Sequence, residues 1–202
     1  MPDTKISGLT ALTGANTDRA LDLIPIVDTS AVQTKSISPA EFLKIASQNL
    51  SYILAQSAVA VSGAEDTAEN TLATITIPAN ALGANGSIAI ITSWTFTNSA
   101  NLKTLRARFS GGAGSIYMSF AITTQATTQA QFIISNRNSA SSQVGGTTGG
   151  NATGGWGVST GAIVTSAIDT TAQTTIVITG QKALGTETIT LERYIAILSY
   201  GV

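Results

Sequence analysis

The sequence predicts a mainly β protein: a jelly-roll-like antiparallel β-sandwich preceded by a small N-terminal extended segment and one short helix. Three observations lead there. Apolar and polar residues alternate with period two in a series of short runs from residue 56 onward. Those runs are rich in Thr, Ile and aromatic residues and are punctuated by Gly, Asn and Ser. Between them lies no helical pattern of about 10–15 residues, which argues against alternating β-α units around a parallel sheet.

The strands fall at 58–61, 72–77, 87–97, 102–109, 116–123, 131–136, 157–165, 174–179 and 188–199, the close spacing of a sandwich. Pro78 stops the second, and Gly111-Gly112-Ala113-Gly114 makes a turn between the fourth and fifth. Thr recurs where outward positions are expected, since its branched Cβ favours extended backbone and its hydroxyl tolerates water. Lys and Glu usually fill such positions and keep sheets apart. Their scarcity predicts that part of this surface is covered by copies of the same chain.

The front of the chain reads differently. Leu23, Ile24, Pro25, Ile26 and Val27 form a compact extended patch in which Pro25 lacks a ladder donor, so the strand belongs at an edge or against another molecule. A second short strand is predicted at 33–37. So few apolar anchors bury little core, and the segment is expected to dock on something. Ser38-Pro39-Ala40-Glu41 then combines an N-cap, a first-turn proline and a capping-box glutamate. Phe42, Ile45, Ala46, Leu50, Ile53 and Leu54 follow at helical spacing, predicting a helix from Pro39 to at least Gln48. The stretch 50–55 fits helix or strand. The expected division is an attachment segment at 1–38, a helix and connector at 39–55, and a sandwich at 56–202.

Composition narrows the chemistry. Charged residues make up 10% of the 202, against about 25% in ordinary domains. There is no His and no Cys, which removes the commonest general base, the commonest metal ligand and all thiol chemistry. Eight of the eleven acidic residues lie within the first 69 positions, leaving Asp169, Glu187 and Glu192. An enzyme is not expected, nor a metal or cofactor. The net charge of −1 gives no reason to expect nucleic acid. No apolar run approaches the roughly 18 residues of a membrane span. Met1-Pro2-Asp3-Thr4-Lys5 lacks the pattern of a secretory signal, so synthesis in a cytoplasm is expected.

Among the charges, Lys103, Arg106 and Arg108 form one basic cluster, expected to be ion-paired, with Glu187 and Glu192 as the natural partners. Strand parity puts Glu192 and Arg193 on opposite faces. Glu65, Asp66 and Glu69 read as a solvated turn. The Gly-rich stretch 145–157 lacks the Lys-Ser/Thr of a phosphate-binding loop and reads as a loop between strands. Its Trp156, flanked by glycines, offers a flat face that a sugar ring would suit.

Lys5-Ile6-Ser7-Gly8-Leu9, Asp22-Leu23-Ile24-Pro25-Ile26-Val27-Asp28 and Thr34-Lys35-Ser36-Ile37-Ser38-Pro39-Ala40-Glu41-Phe42 together resemble the opening module of tailed-bacteriophage appendage proteins. Tail fibres, head fibres and capsid decorations are of this kind. Thr76-Ile77-Pro78-Ala79-Asn80-Ala81-Leu82-Gly83, leading into a long strand, is similar to the β-sandwich knobs of phage particles. The resemblance implies a virion protein that docks through residues 1–38, projects a homotrimeric sandwich at the particle surface, and has other virion proteins as partners. With no fibrous shaft, a capsid decoration or short head fibre fits best. The alternative is a tail fibre or receptor-binding module that recognises a host surface glycan through Trp156.

Overall fold

The computed structural model describes residues 24–28, 33–37, 51–147 and 163–201. The chain divides into two compact units, Met1–Gln48 and Asn49–Val202. In the first, β1 (Ile24–Asp28) pairs antiparallel with β2 (Gln33–Ile37), with Ile24 opposite Ile37 and Asp28 opposite Gln33. A two-stranded sheet has only edge strands, the position in which Pro25 is tolerated.

The second unit is a two-sheet sandwich with antiparallel pairing throughout its strands. One sheet runs β11 (Ile163–Ser166), β10 (Gln143–Thr147), β9 (Thr127–Asn136), β6 (Ser87–Phe96), β13 (Ile189–Ser199), β3 (Ser51–Ser57), and the short β4 (Val61–Ser62) also pairs with β13. The other runs β5 (Asn70–Ile77), β12 (Thr174–Lys182), β7 (Lys103–Phe109), β8 (Ser115–Ile122). Set aside the β10–β11 hairpin, and the orders 3-13-6-9 and 5-12-7-8 are those of a jelly roll. The hairpin is an insertion that widens the first sheet beyond β9.

Alternation builds the core. In β6 the residues Ile88, Ile90, Trp94 and Phe96 point inward and are buried. Leu105, Ala107 and Phe109 of β7 and Ile176 and Ile178 of β12 meet them from the other sheet. Trp94 stacks on Phe96 at 6.4 Å between ring centroids, and Phe109 meets Tyr117 edge-on at 6.0 Å. Thr92 is the polar intruder in this row. It is fully buried, accepts from Trp94 Nε1 at 2.8 Å and donates to the Ala130 carbonyl at 3.2 Å, so no polar atom is stranded.

Two stretches, 51–60 and 143–147, differ from the expected strand limits. Residues 51–55 are strand, so the sandwich begins at Ser51; the capping-box helix before it lies outside the described residues. The residues 58–60 are not strand: β3 ends at Ser57, whose hydroxyl accepts the Val59 amide at 3.1 Å in the turn before β4. A bulge at Leu54 lets both Leu54 and Ala55 pack on the core while Ile53 faces out.

The second departure is β10. Gly145, Gly146 and Thr147 belong to a strand and not to a loop. The glycine is required there because a Cβ on Gly145 would sit 2.1 Å from the Tyr117 ring. A buried polar chain secures the hairpin. Gln143 donates to Asn136 Oδ1 at 2.9 Å and to the Ile168 carbonyl at 2.9 Å, and it accepts from Ser166 and from the Ile168 amide.

Candidate functional site

Among the described residues, the ion pairs of Glu69 with Arg106 and Arg108 and of Glu187 with Lys103 are each made by segments distant in sequence. Glu69, just before β5, receives Arg108 in a two-pronged contact at 2.8 and 2.9 Å, Arg106 at 2.9 Å and the Thr179 hydroxyl at 2.6 Å. Arg106 also donates to Gln181 at 2.9 Å. This network lies across β7 and β12 on the outer side of the four-stranded sheet. Glu69 is therefore no solvated turn residue, as its neighbours Glu65 and Asp66 are. The forked Arg108 contact, then the Thr179 hydroxyl and the nearby Arg106 charge, hold its carboxyl down to about 2.

The inward-facing end of the same sheet holds two buried lysines. Lys103 lies 2.8 Å from Glu187 and donates to Ser99 Oγ at 2.7 Å and to the Asn101 carbonyl at 3.0 Å. Asn101 donates to the other oxygen of Glu187 at 2.8 Å. Lys182 gives its ammonium to the carbonyls of Ala64, Gly185 and Glu187 at 2.7, 3.1 and 2.8 Å. These contacts stitch the loops at one end of the sandwich.

Because both glutamates have carboxyl groups lowered to about 2 in the folded protein, acid must weaken the fold. A depressed carboxylate stabilises fully above its unfolded value of about 4.3, and that contribution is lost as pH falls toward the folded value. The urea midpoint is expected to hold steady from pH 7 to about 5 and then decline toward pH 2.5. In Glu69→Gln the decline should be shallower, so that the gap from wild type is widest at neutral pH and closes in acid.

The expected partners are half met. Glu187 pairs with Lys103, but Glu192 accepts from Thr95 and Arg193 donates to Ser93 at 3.1 Å. Thr95 and Ser93 both face outward on β6, so Glu192 and Arg193 serve the same face. A bulge in β13 between Leu191 and Arg193 breaks the parity that would have separated them. Asp169 is elsewhere, accepting from the Thr171 amide and hydroxyl. Among the described residues, no three His, Cys, Asp or Glu side chains gather in a way that could hold a metal.

The outer side of the β3-β13-β6-β9 sheet is built otherwise. Ile53, Ile197, Ala89 and Ile133 form one cross-strand row, and Gln56, Ile195, Ile91 and Gln131 the next. A serine row, Ser51-Ser199-Ser87-Ser135, closes one end. Ile53 is 52% exposed and Ile133 44%. Next to these rows Gln56, Ser57, Ala58, Arg193, Tyr194 and Ile195 line an open cleft of about 410 Å³, in which no carboxylate takes part.

Of the predicted docking residues, Ile24, Pro25, Ile26 and Val27 lie in β1. Leu23 and Trp156 lie outside the described residues. The isoleucine rows were not singled out from the sequence, although Ile88-Ala89-Ile90-Ile91 and Ile195-Ala196-Ile197-Leu198, apolar at both parities, carry the signal.

No family model matches the chain, and no curated protein matches it. Among solved structures, the CBM2 module of the evolved Dit of Lactobacillus casei BL23 phage J-1 is 12% identical, with 64% of this chain and 70% of that one covered and a TM-score of 0.33. The VP2 subviral particle of infectious bursal disease virus is 13% identical, covering 89% of this chain and 38% of VP2, at 0.34. Lectin I of Ulex europaeus, solved with the methyl glycoside of α-L-fucose, is 9% identical, covering 76% and 99%, at 0.35. None superimposes closely enough to bear on function.

Proposed function

We propose that the protein is a non-enzymatic structural component of a tailed-phage virion, a capsid decoration or short head fibre. It docks on the particle through residues 1–38 and presents the jelly roll as a trimer at the surface. The fold is shared by capsid, lectin and cupin domains and decides nothing among them. The observation that carries the reading is the disposition of polar groups. Among the described residues, the buried and half-buried charges are engaged in Glu69–Arg108, Glu187–Lys103 and the Lys182 carbonyl cage. What the sandwich offers its surroundings is a partly apolar sheet face without net charge, on which Glu192 and Arg193 are opposite in sign. The N-terminal resemblance to phage appendage proteins, with β1 and β2 forming a separate small sheet, supplies the attachment end.

Docking is tested by removing residues 1–38, which leaves the complete core of the second unit in place. Mixed with undecorated particles, the full chain should co-sediment and the shortened one should stay in the supernatant. Equal binding by both would rule out the attachment role.

A further inference from the structure

We infer that the outer face of the β3-β13-β6-β9 sheet is a self-association surface, buried in solution by a second copy of this chain. The inference rests on the assembly of copies in the reading above and names the surface through which two of them meet.

Three observations converge on this face. The first is the pattern of the two central strands. Antiparallel strands with one wet face alternate, whereas strands covered on both faces read as unbroken apolar runs. β6 carries Ile88-Ala89-Ile90-Ile91 and β13 carries Ile195-Ala196-Ile197-Leu198. Ile88, Ile90, Ala196 and Leu198 are fully buried by the core, but Ala89, Ile91, Ile195 and Ile197 are turned away from it. The core explains half of each run; the other half faces no further element among the described residues.

The second is the contrast with the opposite sheet. Its outer side carries Arg106, Arg108, Gln181 and Glu69 in a water-facing polar network, the construction of a solvated face. On the strands of the first sheet the charged residues are Glu192 and Arg193, adjacent in β13 and opposite in sign. A face with no net charge can lie against a second copy of the chain without like-charge repulsion, and that selects a second copy over a strongly charged partner.

The third is size. Strands of up to about ten residues at roughly 3.4 Å per residue and about 4.8 Å apart give a sheet face on the order of 700 Å². Stable interfaces bury about 800 Å² per partner. The isoleucine rows would form its dry centre, and the serine row and Gln56, Gln129 and Gln131 its polar rim.

Light scattering after gel filtration tests this with substitutions at the two most exposed row members. The wild-type chain should run as an assembly, and Ile53→Lys/Ile133→Lys should run at the mass of one chain with an unchanged far-ultraviolet spectrum. Thr74→Lys/Thr76→Lys, on the opposite sheet, should remain assembled. Should the double lysine variant lose its fold, Ile133→Cys replaces it. It supplies the sole thiol of a chain without cysteine, and a nitroxide there should report a short distance between copies. A wild type of single-chain mass, a folded lysine variant that still assembles, or no distance between nitroxides overturns the inference. Particle co-sedimentation separates the two claims. A chain that binds particles as a monomer defeats this surface and spares the virion role, while one that assembles without binding does the reverse.

Discussion

Lys103→Met is expected to lower the free energy of unfolding by about 3–5 kcal/mol, the usual cost of orphaning one member of a buried ion pair. The Lys103 side chain is 0% exposed and its partner Glu187 7%, so water cannot replace the missing ammonium. Glu187 would keep only its neutral partners Asn101 and Ser99, and the Asn101 carbonyl and Ser99 hydroxyl would each lose a donor. For a domain of this size each kcal/mol moves the melting temperature by roughly 2–4 °C, so calorimetry should show a drop of about 10 °C. The double variant Lys103→Met/Glu187→Leu removes both charges and should recover part of the loss. A single variant that melts within a degree or two of wild type would show the pair to be solvated in practice.

Trp94→Ala should cost a similar amount, about 3–5 kcal/mol, through lost burial and an unfilled cavity. Trp94 is 1% exposed and stacked on Phe96, and its removal leaves the buried Thr92 hydroxyl without the indole N–H it accepts. Urea unfolding followed by circular dichroism measures the loss. Trp94→Phe, which keeps most of the apolar volume but not the donor, should lose less than half as much. Equal losses for the two would mean that the hydrogen bond, and not packing, holds this part of the core.

The strands that build the sandwich were legible because half-buried antiparallel strands alternate. Residues 87–97, 102–109 and 116–123 become Ser87–Phe96, Lys103–Phe109 and Ser115–Ile122. β2 at Gln33–Ile37 matches its expected limits. What escaped were features decided by tertiary neighbours. Gly145 and Gly146 have poor strand propensity, yet they sit in β10 because the Tyr117 ring occupies the space a side chain would need. Glu69 looks like part of an acidic turn until the fold brings Arg106, Arg108 and Thr179 to it from positions 37, 39 and 110 residues away. Glu192 and Arg193 obey strand parity on paper, and a one-residue bulge cancels it. The apolar outer rows were readable in principle, since both parities of β6 are apolar, but only pairing with Ile53 and Ile133 makes them a surface.

Conformational economy fits an adhesive role. Among the described residues, Glu69, Arg106, Arg108, Lys103, Lys182 and Glu187 lock loops and strands together.

Where the protein resides on intact phage is the most direct test. Gold-labelled antibody raised against the sandwich and applied to purified virions should decorate the particle surface in electron micrographs, with label on the head. Bare particles, with the protein confined to the lysate from which they were purified, would contradict the account.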